Sequence, residues 1–595
     1  MTGLARAGIA GAQVLGRAGA RTAGNVVPVS VRAVGGATTG AARVGLRAAE
    51  ESGRAAVSVA RQGVSLAAGT PGRAVRVGRA LVDLHPRRHT RSVWSGHGRA
   101  HIEVRGLGGG RLRRERLVGG LTRALRGLNG VRWAEVNAVT GQVLLSFDER
   151  RVGIDRLLEA VRAVEEAQGV DDAGFAWAQP VAPGDDAPFA AVAAELLVDC
   201  AAMAAAVVQR IFRLPSLPRA VPAAVAALEL ERELLKPLVR RVGPLQADLL
   251  LSLTSATVNG LRGGLGMPAA DVASRVLLLG EIRARRQVWE RRERDLCPGP
   301  DCVPHTRPAR HLRARARMPG PVERWEAQLA PLAPVAAASV LALTGSPRRA
   351  ADALLAAVPR AARYGRTGFA STVGRDLARR GVVPLDPSAL RLLDTVSAVV
   401  IDSAVLMDDR QGPEGGRPAP LAVPMLAAAR SAGARVVLTE DERMRELLPA
   451  ADRIIGTGER LADQVRELQN QGGGVLVISG TDAEALAAAD IAVAVPPAPG
   501  AEASWSADLV CPDGLEQACR ILRAVTPARA VSQRCVHLAL AGSAIGTLLA
   551  LIGPKRGIFH ALTPVHAASL LALLWSATAA HRATRAPSHS LTTRP

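Results

Sequence analysis

Two charge-free apolar runs near the C-terminus constrain this chain more than any other feature. Residues 535–553 give 19 positions without a formal charge, and residues 558–580 give 23 more, separated only by Pro554-Lys555-Arg556-Gly557. A helix of about 20 apolar residues crosses a hydrocarbon core of about 30 Å, so the pair predicts a transmembrane hairpin over 535–580. His537, His560 and His566 within it read as packing or interfacial residues, with no acidic partner evident nearby. Arg520, Arg523, Arg529 and Arg534 precede the hairpin and Arg582 and Arg585 follow it, against Lys555 and Arg556 in its turn. Positive residues favour the cytoplasmic side, which places both ends of the hairpin there.

Residues 186–360 repeat the theme with weaker spans. The run 189–208 is apolar but carries Glu195 and Asp199, while 249–261, 272–280, 329–343 and 350–359 are shorter apolar stretches. Together they predict several membrane or re-entrant helices. Carboxylates inside a membrane usually mark ion paths; an interfacial face is the other reading for Glu195 and Asp199. Residues 281–325 are dense in arginine, from Arg283 to Arg317, and read as a cytoplasmic loop. That loop holds Cys297, Cys302 and His305, a soft-metal pattern with three donors where a structural zinc site takes four. A Pro-rich linker with incidental thiols is the alternative.

Composition narrows the class. A chain of 595 residues that is 48% hydrophobic and 22% charged holds several domains and alternates apolar spans with basic segments. Its net charge of +22 is carried by arginine, since Lys236 and Lys555 are the only lysines. Six cysteines exclude a disulfide scaffold. Aromatics at 2%, with Tyr364 the single tyrosine, argue against a base-stacking nucleic-acid binder, and the basic excess comes with no specific nucleic-acid motif. Residues 1–96 form a basic Ala/Gly/Arg-rich arm without the apolar h-region of a secretory signal. It reads as a membrane-surface arm drawn to anionic lipid, or as a plain low-complexity extension.

From residue 97 to 170 the pattern becomes that of a small α/β unit. A strand over 101–107, a helix over 114–128, strands over 130–137 and 142–147 and a helix over 155–168 give the order βαββα, which suits a ferredoxin-like sandwich. This resembles the heavy-metal-associated domain that precedes metal-pumping P-type ATPases. That family holds a soft metal through Cys-x-x-Cys before the first helix. The matching loop here, Gly106-Leu107-Gly108-Gly109-Gly110, has no cysteine, so the resemblance implies a structural or docking role.

Residues 379–525 alternate buried strands with helices and predict a parallel, doubly wound sheet. The strand 396–401 ends in Asp402, 434–439 ends in Thr439, and 473–479 leads into Gly480-Thr481-Asp482. A buried strand ending in aspartate resembles the nucleophile motif of the haloacid-dehalogenase (HAD) superfamily, and the series as a whole resembles the phosphorylation core of a P-type cation-transporting ATPase. The resemblance assigns Asp402 as the phosphorylated aspartate, Thr439 as the phosphate-binding threonine, and Asp402 with Asp482 as magnesium ligands. It assigns Pro359, ending Leu354-Leu355-Ala356-Ala357-Val358-Pro359, to the broken helix beside the ion path.

The departures from that family decide the expected function. Asp-Lys-Thr-Gly-Thr is replaced by Asp402-Ser403-Ala404-Val405-Leu406, and Thr-Gly-Asp by Thr439-Glu440-Asp441. Neither lysine lies in this domain, and residues 409–431 leave no room for a nucleotide-binding domain. The actuator is replaced by the arginine-rich segment 281–325. The expected architecture is therefore multi-domain α/β with transmembrane helices: ferredoxin-like module, helical membrane region, HAD-like sheet. The expected function is that of a P-type ATPase-like protein, multi-pass in the plasma membrane with its HAD-like domain cytoplasmic. It is catalytically inactive, needs no cofactor, contacts membrane lipid, and assembles with or regulates a complete cation pump or second half. An active pump using Mg, ATP and an aspartyl-phosphate at Asp402, and a basic membrane scaffold, are the alternatives.

Overall fold

The computed structural model describes residues 91–171, 173–175, 183–212, 266–305, 319–329, 331–358, 360–408, 417–456, 458–553 and 560–585. The basic arm up to residue 90, the apolar run 249–261, the arginines from 307 to 317, Pro359 and the turn of the C-terminal hairpin lie outside these residues.

The first unit contains β1 (Val93–Gly96), β2 (Arg99–Glu103), α1 (Arg111–Arg126), β3 (Val131–Asn137), β4 (Gln142–Phe147) and α2 (Ile154–Ala167). Its sheet is antiparallel in the order β1-β2-β4-β3. β1 falls in the stretch that the sequence reading gave to the arm. It returns into β2 through His97 and Gly98, both at positive φ (55° and 72°), the backbone twist that a two-residue hairpin requires. Leu117, Leu121 and Leu125 of α1 and Leu157 and Val161 of α2 recur at helical spacing and are buried. They close a core with Ala100, Ile102, Val143 and Leu145.

The second unit is helical: α3 (Ala187–Ile211), α4 (Gly266–Leu296), α5 (Pro321–Leu329), α6 (Leu332–Thr344), α7 (Pro347–Ala356) and α8 (Arg360–Arg379). The segment 281–296, expected to be loop, is the second half of α4. The reason is spacing. Glu281, Ala284, Arg285, Val288, Trp289 and Glu293 form one buried face, while Arg286 reaches back to Glu290 one turn away on the outer side. Buried Arg285 donates to the carbonyls of Pro384 (2.7 Å) and Leu385 (2.5 Å), and this burial lowers its pKa to about 10.

The third unit runs β5 (Val383–Pro384), β6 (Val396–Ile401), β7 (Met407–Asp408), β8 (Arg417–Pro418), α9 (Ala422–Ser431), β9 (Arg435–Thr439), β10 (Arg453–Ile455), α10 (Leu461–Asn470), β11 (Gly474–Ser479), α11 (Ala483–Ala488), β12 (Ile491–Ala494) and β13 (Leu509–Val510). Seven strands form one sheet in the order β10-β9-β6-β11-β12-β13-β5, parallel except for β5. Its strands read as near-continuous apolar runs because both faces are covered. Val399, Ile401, Val436, Leu438, Leu476 and Ile478 face a core shared with α8 and α9. Val400, Val437, Val475 and Val477, one residue out of phase, face α10 and α11.

The chain leaves the sheet through α12 (Leu515–Ile552) and returns in α13 (Thr563–Arg585). Three helical stretches among the described residues are long and apolar enough to cross a membrane: 187–204, 321–344 and 515–552. α13 pairs with α12 and α8 through small residues, the packing that lets apolar helices approach closely. A side chain at Gly365 would overlap Cys535, and one at Gly368 would overlap Ser576. Leu332, Leu343, Ile545 and Leu548 of these stretches point outward and are exposed, as lipid-facing residues would be.

Candidate functional site at the carboxyl edge of the sheet

Ligands of open parallel sheets bind outside the carboxyl ends of the strands. β6, β9 and β11 are adjacent there, and each ends in a polar residue: Asp402 directly after β6, Thr439 at the end of β9, Ser479 at the end of β11. Ser479 Oγ donates to Asp402 Oδ2 at 2.7 Å. Thr439 Oγ1 lies 3.5 Å from Asp402 Oδ1, which also accepts from the Ala404 N–H at 3.2 Å. Thr439 Oγ1 in turn accepts from the Ser403 N–H at 2.8 Å. The carboxylate is therefore engaged by protein donors on both oxygens.

These groups open into a cleft of about 360 Å³ whose wall includes Asp402, Thr439, Glu440, Glu459, Arg460, Thr481, Asp482 and Glu484. Five carboxylates face one guanidinium, and that guanidinium, Arg460, is held by Glu484. Asp482 caps α11, its Oδ1 accepting from the Ala485 N–H at 2.8 Å. Asp441 turns away from the cleft. Arg443 donates to both its oxygens (3.1 and 2.8 Å), which holds its carboxyl below the usual range.

The structure thus brings Asp402, Thr439 and Asp482 to one cleft, with Glu440 among its lining residues. Sequence reasoning gave no role to Glu459, Arg460 and Glu484. Ser479, which the sequence places at the end of the strand 473–479, comes to lie beside Asp402 because β11 runs parallel to β6 with Ile478 opposite Ile401.

Other residues singled out in the sequence fall elsewhere. Cys297 is buried, Cys302 half-buried and His305 exposed; among the described residues, no group of three or more His, Cys, Asp or Glu is gathered to hold a metal. Glu195 and Asp199 point inward from α3 to Arg275 of α4, at 2.7 and 3.7 Å, rather than to an exposed face. His560 does have an acidic neighbour, Asp352 of α7 at 3.9 Å, which corrects the sequence reading: α7 and the start of α13 meet only in the folded chain.

A HAD-like parallel sheet set into a bundle of membrane-length helices defines the class. Comparison with known proteins agrees. The chain is 30% identical over 594 residues to the probable cation-transporting ATPase I of Mycobacterium leprae (strain TN), covering 78% of this chain and 37% of that protein. It is 29% identical over 591 residues to the protein of the same name in Mycobacterium tuberculosis (strain ATCC 25618 / H37Rv), covering 76% and 36%. A crystal structure of a zinc-transporting PIB-type ATPase in its E2.Pi state aligns with a TM-score of 0.41 and 12% identity over 66% of this chain and 99% of that one, a likeness too weak to argue from. No protein-family profile matches. The chain is a multi-pass membrane protein homologous to part of a P-type cation-transporting ATPase, and it spans little more than a third of the length of the relatives it matches.

Proposed function

We propose that this chain is a catalytically silent P-type ATPase-like segment that assembles with, or regulates, a cation pump, with its HAD-like domain on the cytoplasmic side. The observation that carries the reading is the state of Asp402. An aspartate that attacks a phosphoryl group needs a lone pair aimed at phosphorus and a field that tolerates incoming negative charge. Here each oxygen has a protein donor, and Glu440, Glu459, Asp482 and Glu484 line the approach. Like charges so close repel a phosphate. Magnesium favours a near-octahedral shell of oxygens, and Asp402 with Asp482 offer it two carboxylates already engaged in protein hydrogen bonds. We therefore take the segment to act without magnesium or ATP.

The decisive experiment is acid-stable labelling of the purified membrane protein with γ-labelled ATP, beside Asp402→Asn. The expected result is no label above the variant. Label that depends on Asp402 overturns the reading and restores an active pump. Co-purification with a cation pump, and a change in that pump's transport when this segment is present, tests the partner half. Binding of anionic vesicles with neither effect would favour a basic scaffold.

A further inference from the structure

Residues 297–304 form a short key between the ferredoxin-like module and the sheet domain. Arg99 of β2 donates to the carbonyls of Cys297 (2.6 Å) and Pro298 (3.2 Å), and the Ala138 N–H donates to the Pro304 carbonyl (2.9 Å). From the other side, Trp505 Nε1 donates to the Cys302 carbonyl at 3.1 Å. Behind the key, His101 of the module pairs with Glu293 of α4 at 2.9 Å, and its ring lies 5.2–5.3 Å from those of Trp94 and Trp289. The module is therefore anchored through carbonyls that belong to, or flank, two cysteines.

Those cysteines converge. Cys297 Sγ and Cys302 Sγ both contact the Gly299 carbonyl, at 3.9 and 3.2 Å, which caps their separation at about 7 Å. They also differ in access. Cys297 is buried, which pushes its thiol up to about 12; Cys302 is half-buried and the more accessible of the two.

We propose that Cys297 and Cys302 form a reversible dithiol–disulfide pair whose oxidation loosens the joint between the module and the sheet domain. The oxidant is a small disulfide, RSSR. The Cys302 thiolate attacks one of its sulfurs, making a mixed disulfide and expelling the first thiolate. Cys297 sulfur then attacks Cys302 sulfur, the new bond forms, and the second thiolate leaves. The two cysteine protons end on two RSH, and the two cysteines supply the two electrons. Closing the bond draws Cys302 Sγ from the Gly299 carbonyl and shifts the turn Pro300–Cys302, whose last carbonyl is the acceptor for Trp505.

The test uses the full chain in detergent, treated with oxidised glutathione and then with dithiothreitol. Peptide mass spectrometry reads the cross-link, and hydrogen exchange over residues 134–146 reads the joint. The expected result is a Cys297–Cys302 link, a rise in exchange of about tenfold or more on oxidation, reversal by dithiothreitol, and neither effect in Cys302→Ser. Cys302→Ala serves if serine itself alters exchange in the reduced protein. A glutathione adduct that stays on Cys302 without linking, or a link that leaves exchange unchanged, overturns the proposal.

Discussion

Replacing His101 by alanine should free the ferredoxin-like module from the rest of the fold without unfolding either. The side chains of His101 and Glu293 are 2% and 3% exposed and bond at 2.9 Å. Removing the imidazole, whose ring packs against Trp94 and Trp289, leaves the buried Glu293 side chain without this partner. Losing a buried hydrogen bond to a charged group costs about 1.5–3 kcal/mol. At about 1.4 kcal/mol per decade, the open state of the joint becomes roughly ten- to a hundredfold better populated. Hydrogen exchange reads this directly at the Ala138 N–H, whose acceptor is the Pro304 carbonyl across the joint. The double variant His101→Leu with Glu293→Leu should recover most of the loss, because apolar residues of similar volume replace a buried pair at little net cost. Wild-type exchange in His101→Ala, or a double variant as loose as the single ones, would refute the reasoning.

Three further outcomes follow from packing and charge. Ser532 Oγ donates to Asp394 Oδ2 at 2.6 Å, and Asp394 is buried; Ser532→Ala should destabilise by about 1.5–3 kcal/mol, visible as a lower midpoint in a thermal melt. Gly365→Val sets a side chain against Cys535 and should cost about 1–3 kcal/mol by overpacking, with α8 and α12 separating in a cysteine cross-linking assay. Asp441, held low by Arg443, contributes stability that is fully present above the unfolded carboxylate value of about 3.9 and lost as pH falls through its depressed folded value. Melting curves of wild type and Arg443→Ala should therefore differ modestly at pH 6 and converge as pH falls below the depressed folded value.

The parts legible in the sequence are those where one force dominates. The segments 398–401 of β6, 436–438 of β9 and 474–478 of β11 are buried, so each shows as a short apolar run, and the residue after each run marks the carboxyl edge where Asp402 and Thr439 sit. β10 and β13, three and two residues long, are too short to carry a period and are defined by their neighbours. The second half of α4 was hidden by its charge. Arginine density suggests a solvated loop, yet Glu281, Arg285, Trp289 and Glu293 stand at intervals of four, the spacing of one helix face. The same confusion conceals the module's attachment. In β2, Ala100 and Ile102 point to the module's own core, so alternation assigns Arg99, His101 and Glu103 to solvent. All three are buried instead, because Cys297 and Pro298 carbonyls meet Arg99, Glu293 meets His101 and the Ser92 N–H meets Glu103. A polar face with its partners supplied elsewhere in the fold looks, in sequence, like a face turned to water. A module that resembles a free metal-carrying domain is packed against the rest of the fold through this face, and its alternation alone could not show it.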